Sequence, residues 1–361
     1  MGKEAIKHRT IYLDHLRVLA TTAVMMVHVS ASNWYSTDVN GYDWKVFNLY
    51  DSIVRWGVPV FIMISGALFL NRDDITVKII YSKYVFRMAV AYIFWNFIYY
   101  LFAGESCLKQ FQLLFQPGKT DRFIAIVNGV GHLWFVPMIA GIYMCIPFLK
   151  QIVKDEKIAA NFLILSFIFY LFIPQCVCLI RDFADEKLIA ITNALYSRVN
   201  ALQLNMIMGY TFYFVFGYEL SRIKFSKKTR VIIYILGLLG SLFTVATSIV
   251  ISIKRQNATA TYYNNQMVNI FFEALAIFEL YKNIQFKEKR FNKLIVILSK
   301  WSFGAYLVHI LILDQLTKHG LNTLSFNSAI ATPVITSIVF IGSFAISGII
   351  HFIPIARKYI V

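Results

Sequence analysis

The sequence predicts an all-α, polytopic integral membrane bundle of about ten transmembrane helices, and three observations carry that prediction. Of 361 residues, 58% are hydrophobic and only 15% charged, with a mean hydropathy of +0.61, which is far more apolar than a soluble domain. Apolar runs of about twenty residues, the length that crosses roughly 30 Å of hydrocarbon, recur along the chain. Lysine and arginine collect in every second connection, as expected when alternate loops face the cytoplasm.

The runs fall at 11–33, 48–70, 80–103, 131–150, 159–178, 203–220, 230–252, 265–283, 298–317 and 329–352. The first follows a basic start and ends at Ser30-Ala31-Ser32, like a secretory signal. Its apolar course is broken by Arg17 and His28, so it reads as a retained helix. Between the third and fourth runs, 104–130 contains Gln116-Pro117-Gly118 and an apolar stretch, 123–130, too short to span. That stretch suits either a re-entrant segment over a cavity or a surface loop. No internal repeat or appended soluble domain is apparent, so 1–361 reads as one transmembrane domain.

With the N-terminus inside, inner segments hold 22 of the 35 lysines and arginines and outer segments hold 10. That excess predicts both termini in the cytoplasm, which requires an even number of spans. The same loops account for the net charge of +16 through topology and attraction to anionic membrane lipid, without a nucleic-acid partner. Cys107, Cys145, Cys176 and Cys178 lack zinc or redox spacing, and no metal-ligand pattern occurs. Cys107 and the Cys176/Cys178 pair fall on the outer side, where a disulfide is open to them, but buried inert thiols are the simpler reading.

The three remaining arginines, Arg17, Arg55 and Arg87, lie within predicted spans, where an ionisable group is costly and defaults to a functional hypothesis. Arg17 and His28 are eleven residues apart, close to three helical turns, so they share a face and are separated by about 16 Å along the axis. Alternating helix direction puts Arg17 and Arg87 in the inner half and His28 and Arg55 in the outer half. Glu273 and His309, near the middle of their spans, complete a candidate polar passage. Each residue also has a structural explanation. Arg17 and Arg87 suit snorkelling to headgroups, Arg55 suits an i, i+4 pair with Asp51, His28 suits a bridge between helices, and Glu273 suits a buried neutral carboxyl. Ser65-Gly66 reads as a close-packing site rather than a nucleophile, and Tyr306 as packing.

Four ordered blocks carry a resemblance. They are Ile11–Arg17 followed by His28; Arg55–Gly66, RWGVPVFIMISG; His132–Val136, HLWFV; and Ser302–His309, SFGAYLVH. This order resembles the acyltransferase-3 family of bacterial membrane acyltransferases over nearly the whole chain. Its pattern is most similar to the standalone branch that O-acetylates enterobacterial common antigen and related surface glycans.

The resemblance implies transfer of an acetyl or succinyl group from cytosolic acyl-CoA to a glycan or lipid-linked saccharide hydroxyl at the outer face of the bacterial inner membrane. His28 takes the catalytic role, as base or acyl carrier; on physical grounds Arg55, or the His132-Leu133-Trp134 block, is placed to stabilise the oxyanion or orient the acceptor. Arg17, Lys83 and Arg87 are expected to hold the acetyl-CoA co-substrate, and His132, Trp134, Glu273 and His309 the acceptor. Many members carry Arg-x-x-Arg on the third helix, whereas this chain reads Lys83-Tyr84-Val85-Phe86-Arg87, so only the second arginine matches and Lys83 is an imperfect substitute for the first. Lysine offers a point charge in place of a bidentate fork. A transporter or flippase and a small-molecule-sensing membrane domain are the alternative functions; both lack acyl-CoA consumption.

Overall fold

The computed structural model describes residues 10–103, 124, 126–204 and 209–361. Helices and turns make up these residues, and no strand occurs among them. Seven helical stretches among the described residues are long and apolar enough to cross a membrane: Tyr42–Phe69, Val77–Ala103, Gly131–Ile152, Glu156–Phe183, Lys227–Arg255, Lys289–Lys318 and Ser328–His351. The protein is a polytopic all-α membrane bundle.

Elements are numbered α1 (Ile11–Ala31), α2 (Tyr42–Ser52), α3 (Gly57–Phe69), α4 (Val77–Ala103), α5 (Gly131–Ile152), α6 (Glu156–Phe183) and α7 (Glu186–Asn200). They continue as α8 (Thr211–Arg222), α9 (Lys227–Arg255), α10 (Val268–Asn283), α11 (Lys289–Lys318), α12 (Ser328–His351) and α13 (Pro354–Tyr359). Three expected spans, now α1, α8 and α10, are helical without joining those seven. Asp14, His15, Arg17 and His28 dilute the hydropathy of α1, while α8 and α10 have 12 and 16 described residues. All three are interior rods, and most residues of α8 are buried against neighbours.

The second expected span begins earlier than its apolar run suggests and is broken at 53–56 into α2 and α3. Pro59 explains the break, since it has no N–H to donate to the carbonyl of residue 55 and its ring crowds that oxygen. Arg55 therefore sits in a kink instead of on a continuous helix. Widened π turns occupy Ile80–Val85 in α4 and Phe167–Phe172 in α6. The second precedes Pro174, where a wider turn relieves the same proline conflict. Helix α7 has no counterpart among the expected spans. Asp185 caps its first turn through the Leu188 N–H at 2.8 Å, and nearly all its residues remain uncovered. A search for long apolar runs does not see such a mixed-polarity helix.

Glycine sets the closest crossings. A Cβ on Gly66 would lie 1.7 Å from the Phe214 oxygen, and one on Gly217 would lie 2.2 Å from the Met63 oxygen. Helices α3 and α8 thus meet backbone to backbone at two reciprocal positions, the small-residue packing that membrane helices favour. Gly237 and Gly240 do the same for α9 on α10, against Ala276 and Asn269. Helix α1 packs on α3, α11 and α12 and is tied to the start of α11 by His15 Nε2 and Asn292 Oδ1 at 2.9 Å. Both signature residues of α1 are thereby held inside the bundle. Among the described cysteines, Cys145, Cys176 and Cys178 are free thiols; Cys107 and the Gln116-Pro117-Gly118 break lie outside the described residues.

Candidate active site

One cavity of about 290 Å³ is lined by both Arg17 and His28. Their separation of about 16 Å along α1 makes it elongated, and its wall is completed by α3, α4, α5 and α11. The lining includes an exposed residue at each end, Lys300 on the Arg17 side and Trp134 on the His28 side. The middle course is apolar, with Val24 from α1, Phe61 from α3 and Phe303 from α11.

The Arg17 end is cationic. Arg17 Nη1 donates to Ser299 Oγ at 3.3 Å. Arg87 stands with its guanidinium carbon 5.5 Å from the centre of the Phe303 ring and donates to the Val361 backbone oxygen. Lys300, Tyr84 and Tyr143 join them in the lining. Lys83 does not line the cavity. It is exposed, with Nζ 5.5 Å from the Tyr84 ring centre, on the π turn that precedes Arg87.

The His28 end gathers three imidazoles. Ring centroids are 5.1 Å apart for His28 and His309, 6.1 Å for His28 and His132, and 5.3 Å for His132 and His309. Tyr306 organises two of them, because its hydroxyl donates to the His132 carbonyl and its own carbonyl faces His309 Nδ1 at 2.5 Å. A carbonyl partner requires Nδ1 of His309 to carry the proton, leaving a lone pair on Nε2. That nitrogen and Nε2 of His132 are both buried without a hydrogen-bond partner. Trp134, 41% exposed, tilts against Tyr210 with ring centroids 5.6 Å apart at this mouth.

Arg55, Glu273 and His309 do not line this cavity; His309 is fully buried and packs against His28 and His132. Arg55 pairs with the buried Asp51 and lies 4.1 Å over the ring of Tyr263. Tyr263, in the turn between α9 and α10, also bonds Asn48 and Ser52. Burial, reinforced by the nearby Asp51 carboxylate, holds its phenol well above the usual range, so it stays neutral. Arg55 thus contacts Asp51 and Tyr263 rather than the cavity. Glu273 is 2% exposed, accepts a 2.9 Å bond from Thr244, and opens into a different cavity. The single polar passage expected from sequence thus separates into two spaces.

Ser299, Lys300 and Tyr306 were not singled out as site residues by the sequence, although the spacing contains them. Ser299, Ser302, Phe303 and Tyr306 all line the cavity, and with His309 they follow the 3, 4, 7, 10 rhythm of one helix face. Ser65 also lines the cavity, but its hydroxyl bonds back to the Phe61 carbonyl at 3.0 Å.

Among the described residues no cluster of three or more histidine, cysteine, aspartate or glutamate side chains is arranged to hold a metal ion. A family model described as an acyltransferase domain, acyltransferase 3, matches residues 10–352. Neither the curated proteins nor the solved structures give a match.

Proposed function

Because the chain belongs to the acyltransferase-3 family and is a polytopic membrane bundle, we propose that it moves an acetyl or succinyl group from cytosolic acyl-CoA to a hydroxyl of a cell-surface or lipid-linked glycan. The observation that carries this reading is the single cavity shared by Arg17 and His28. Acyl-CoA is polyanionic at one end and thin along its pantetheine arm. Arg17, Arg87 and Lys300 suit its phosphates through charge-assisted contacts, with exposed Lys83 as an outlying cation. The apolar middle course suits the arm.

In this reading His28 takes the proton of the acceptor hydroxyl as its oxygen attacks the thioester carbon. The carbon–sulfur bond breaks, and the proton passes to the departing thiolate, giving an ester and free CoA. His132, with His309 packed against it, flanks the acceptor, Trp134 gives the acceptor a stacking surface, and the fixed positive charge of Arg55 favours the negative charge that develops on the thioester oxygen. The Arg17 end faces the cytosol of a bacterial inner membrane, and the His28 end faces outward.

The test uses membranes with matched amounts of wild-type and His28→Ala protein, acetyl-labelled CoA and the native glycan pool. Base-labile label should enter the glycan fraction with wild type and not with the variant. Equal label with both proteins would remove His28 from the chemistry. Donor binding without CoA release across a panel of glycan acceptors would favour the transporter and sensor readings.

A further inference from the structure

A second cavity, of about 270 Å³, lies between the α2–α3 kink, α9 and α10. None of its lining residues lines the first cavity. Ile53, Leu238 and Leu280 on its rim are 39%, 62% and 41% exposed, so it opens on the lipid-facing side of the bundle. Helices α9 and α10 run antiparallel along it. Ser241 and Glu273 therefore share one end, Leu238 and Ala276 the middle, and Tyr234 and Leu280 the other, a course of about 10 Å at helical rise. A Cβ on Gly237 would meet Ala276 at 2.3 Å, so the two helices close into a continuous floor.

The polar end is unusual for a groove that faces hydrocarbon. Glu273 is 2% exposed and lines the cavity, and its Oε2 has no hydrogen-bond partner. Ser241 stands within hydrogen-bonding reach of the carboxyl, while Oε2 still lacks a well-formed hydrogen bond. An orphaned buried oxygen is costly in such surroundings, and the remaining wall is mostly aliphatic and aromatic.

The geometry points to a binding site for a membrane lipid that carries a free hydroxyl near its polar end. One hydroxyl both donates and accepts, so it satisfies Glu273 and Ser241 together. An adjoining hydrocarbon chain follows Leu238, Ala276 and Ile277 toward Leu280. Among the described residues no lysine or arginine lines the cavity, so a phosphate would find no counter-charge there, and the site selects a neutral lipid alcohol over an anionic headgroup. The site stands apart from the transfer reaction and does not depend on it.

The test places the intact protein in phosphatidylcholine nanodiscs with a diacylglycerol probe bearing a mid-chain diazirine, beside the same probe with its hydroxyl acetylated. Peptides covering 234–241 and 273–280 should take up about tenfold more of the free-hydroxyl probe, the ratio expected for one such hydrogen bond. Glu273→Leu should erase the preference. Leu238→Trp, at an exposed position that leaves the carboxyl intact, should reduce labelling by both probes. Equal labelling by the two probes, or labelling spread evenly around the bundle, would overturn the proposal and leave the cavity to bulk lipid or water.

Discussion

The imidazoles of His28 and His309 stand with ring centroids 5.1 Å apart, although one ends the first helix and the other lies midway along α11. The tie of His309 Nδ1 to the Tyr306 carbonyl fixes its ring and leaves its other nitrogen, Nε2, buried without a partner. A general base gains by such a neighbour, which can share or pass on a proton.

Replacing His28 by Ala should lower turnover by at least about 100-fold, the usual contribution of positioned proton transfer. The protein should still elute as a monodisperse, helical species. Turnover within a few-fold of wild type, read as CoA release, would exclude a proton-transfer role.

His309→Gln keeps a polar group of similar reach but removes the imidazole. The expected loss is about 10- to 100-fold in kcat, the scale of an orienting partner, with the donor KM unchanged. Tyr306→Phe should cost about 1 kcal/mol of stability by freeing the His132 carbonyl. A donor KM that rises in His309→Gln would move that residue to the CoA side.

Arg17→Ala should raise the donor KM or Kd by about 10- to 100-fold, as expected for a lost charge-assisted hydrogen bond. Arg17→Lys should recover part of it. Lys83→Ala should change donor affinity less than Arg87→Ala, because only Arg87 lines the cavity. Isothermal titration with CoA measures all four, and equal losses for Lys83 and Arg87 would contradict the assignment.

Asp51→Asn leaves Arg55 without its buried partner, and about 3–5 kcal/mol of destabilisation is expected. The double variant Asp51→Leu with Arg55→Met should regain much of that stability. Thermal unfolding reads the stability, and CoA release reads the chemistry. Full activity in the double variant would reduce Arg55 to a structural tie.

Gly66→Leu and Gly217→Leu drive side chains into opposing backbone and should each prevent recovery of folded protein, since overpacking alone costs about 1–3 kcal/mol before any backbone clash. Gly141→Ala, where a Cβ meets nothing within 4 Å, is the matched control. Normal unfolding temperatures for the two leucine variants would refute the close α3–α8 crossing.

Much of the site was legible because helix geometry is local. The interval between Arg17 and His28 sets their shared face wherever α1 lies, and the cavity contains both. What was not legible depends on packing between distant segments. Glu273 and Arg55 looked like further members of the same passage because sequence gives depth along a helix but not its rotation toward neighbours. Only the fold turns Glu273 toward α9 and locks Arg55 onto Asp51 and Tyr263. The kink at 53–56 was readable from Pro59 but was masked by the apolar run around it. Helix α7 was missed because it is exposed and carries no spanning run.

The apolar middle course of the cavity, between Val24, Phe61 and Phe303, also bears on the cell's electrical insulation. A bore lined with cations at one end and imidazoles at the other would leak protons or anions if water filled it continuously. Hydrocarbon and aromatic walls shed water from narrow stretches. In the proposed reading, the same side chains that receive a thin organic arm are expected to keep the idle protein from short-circuiting the membrane potential.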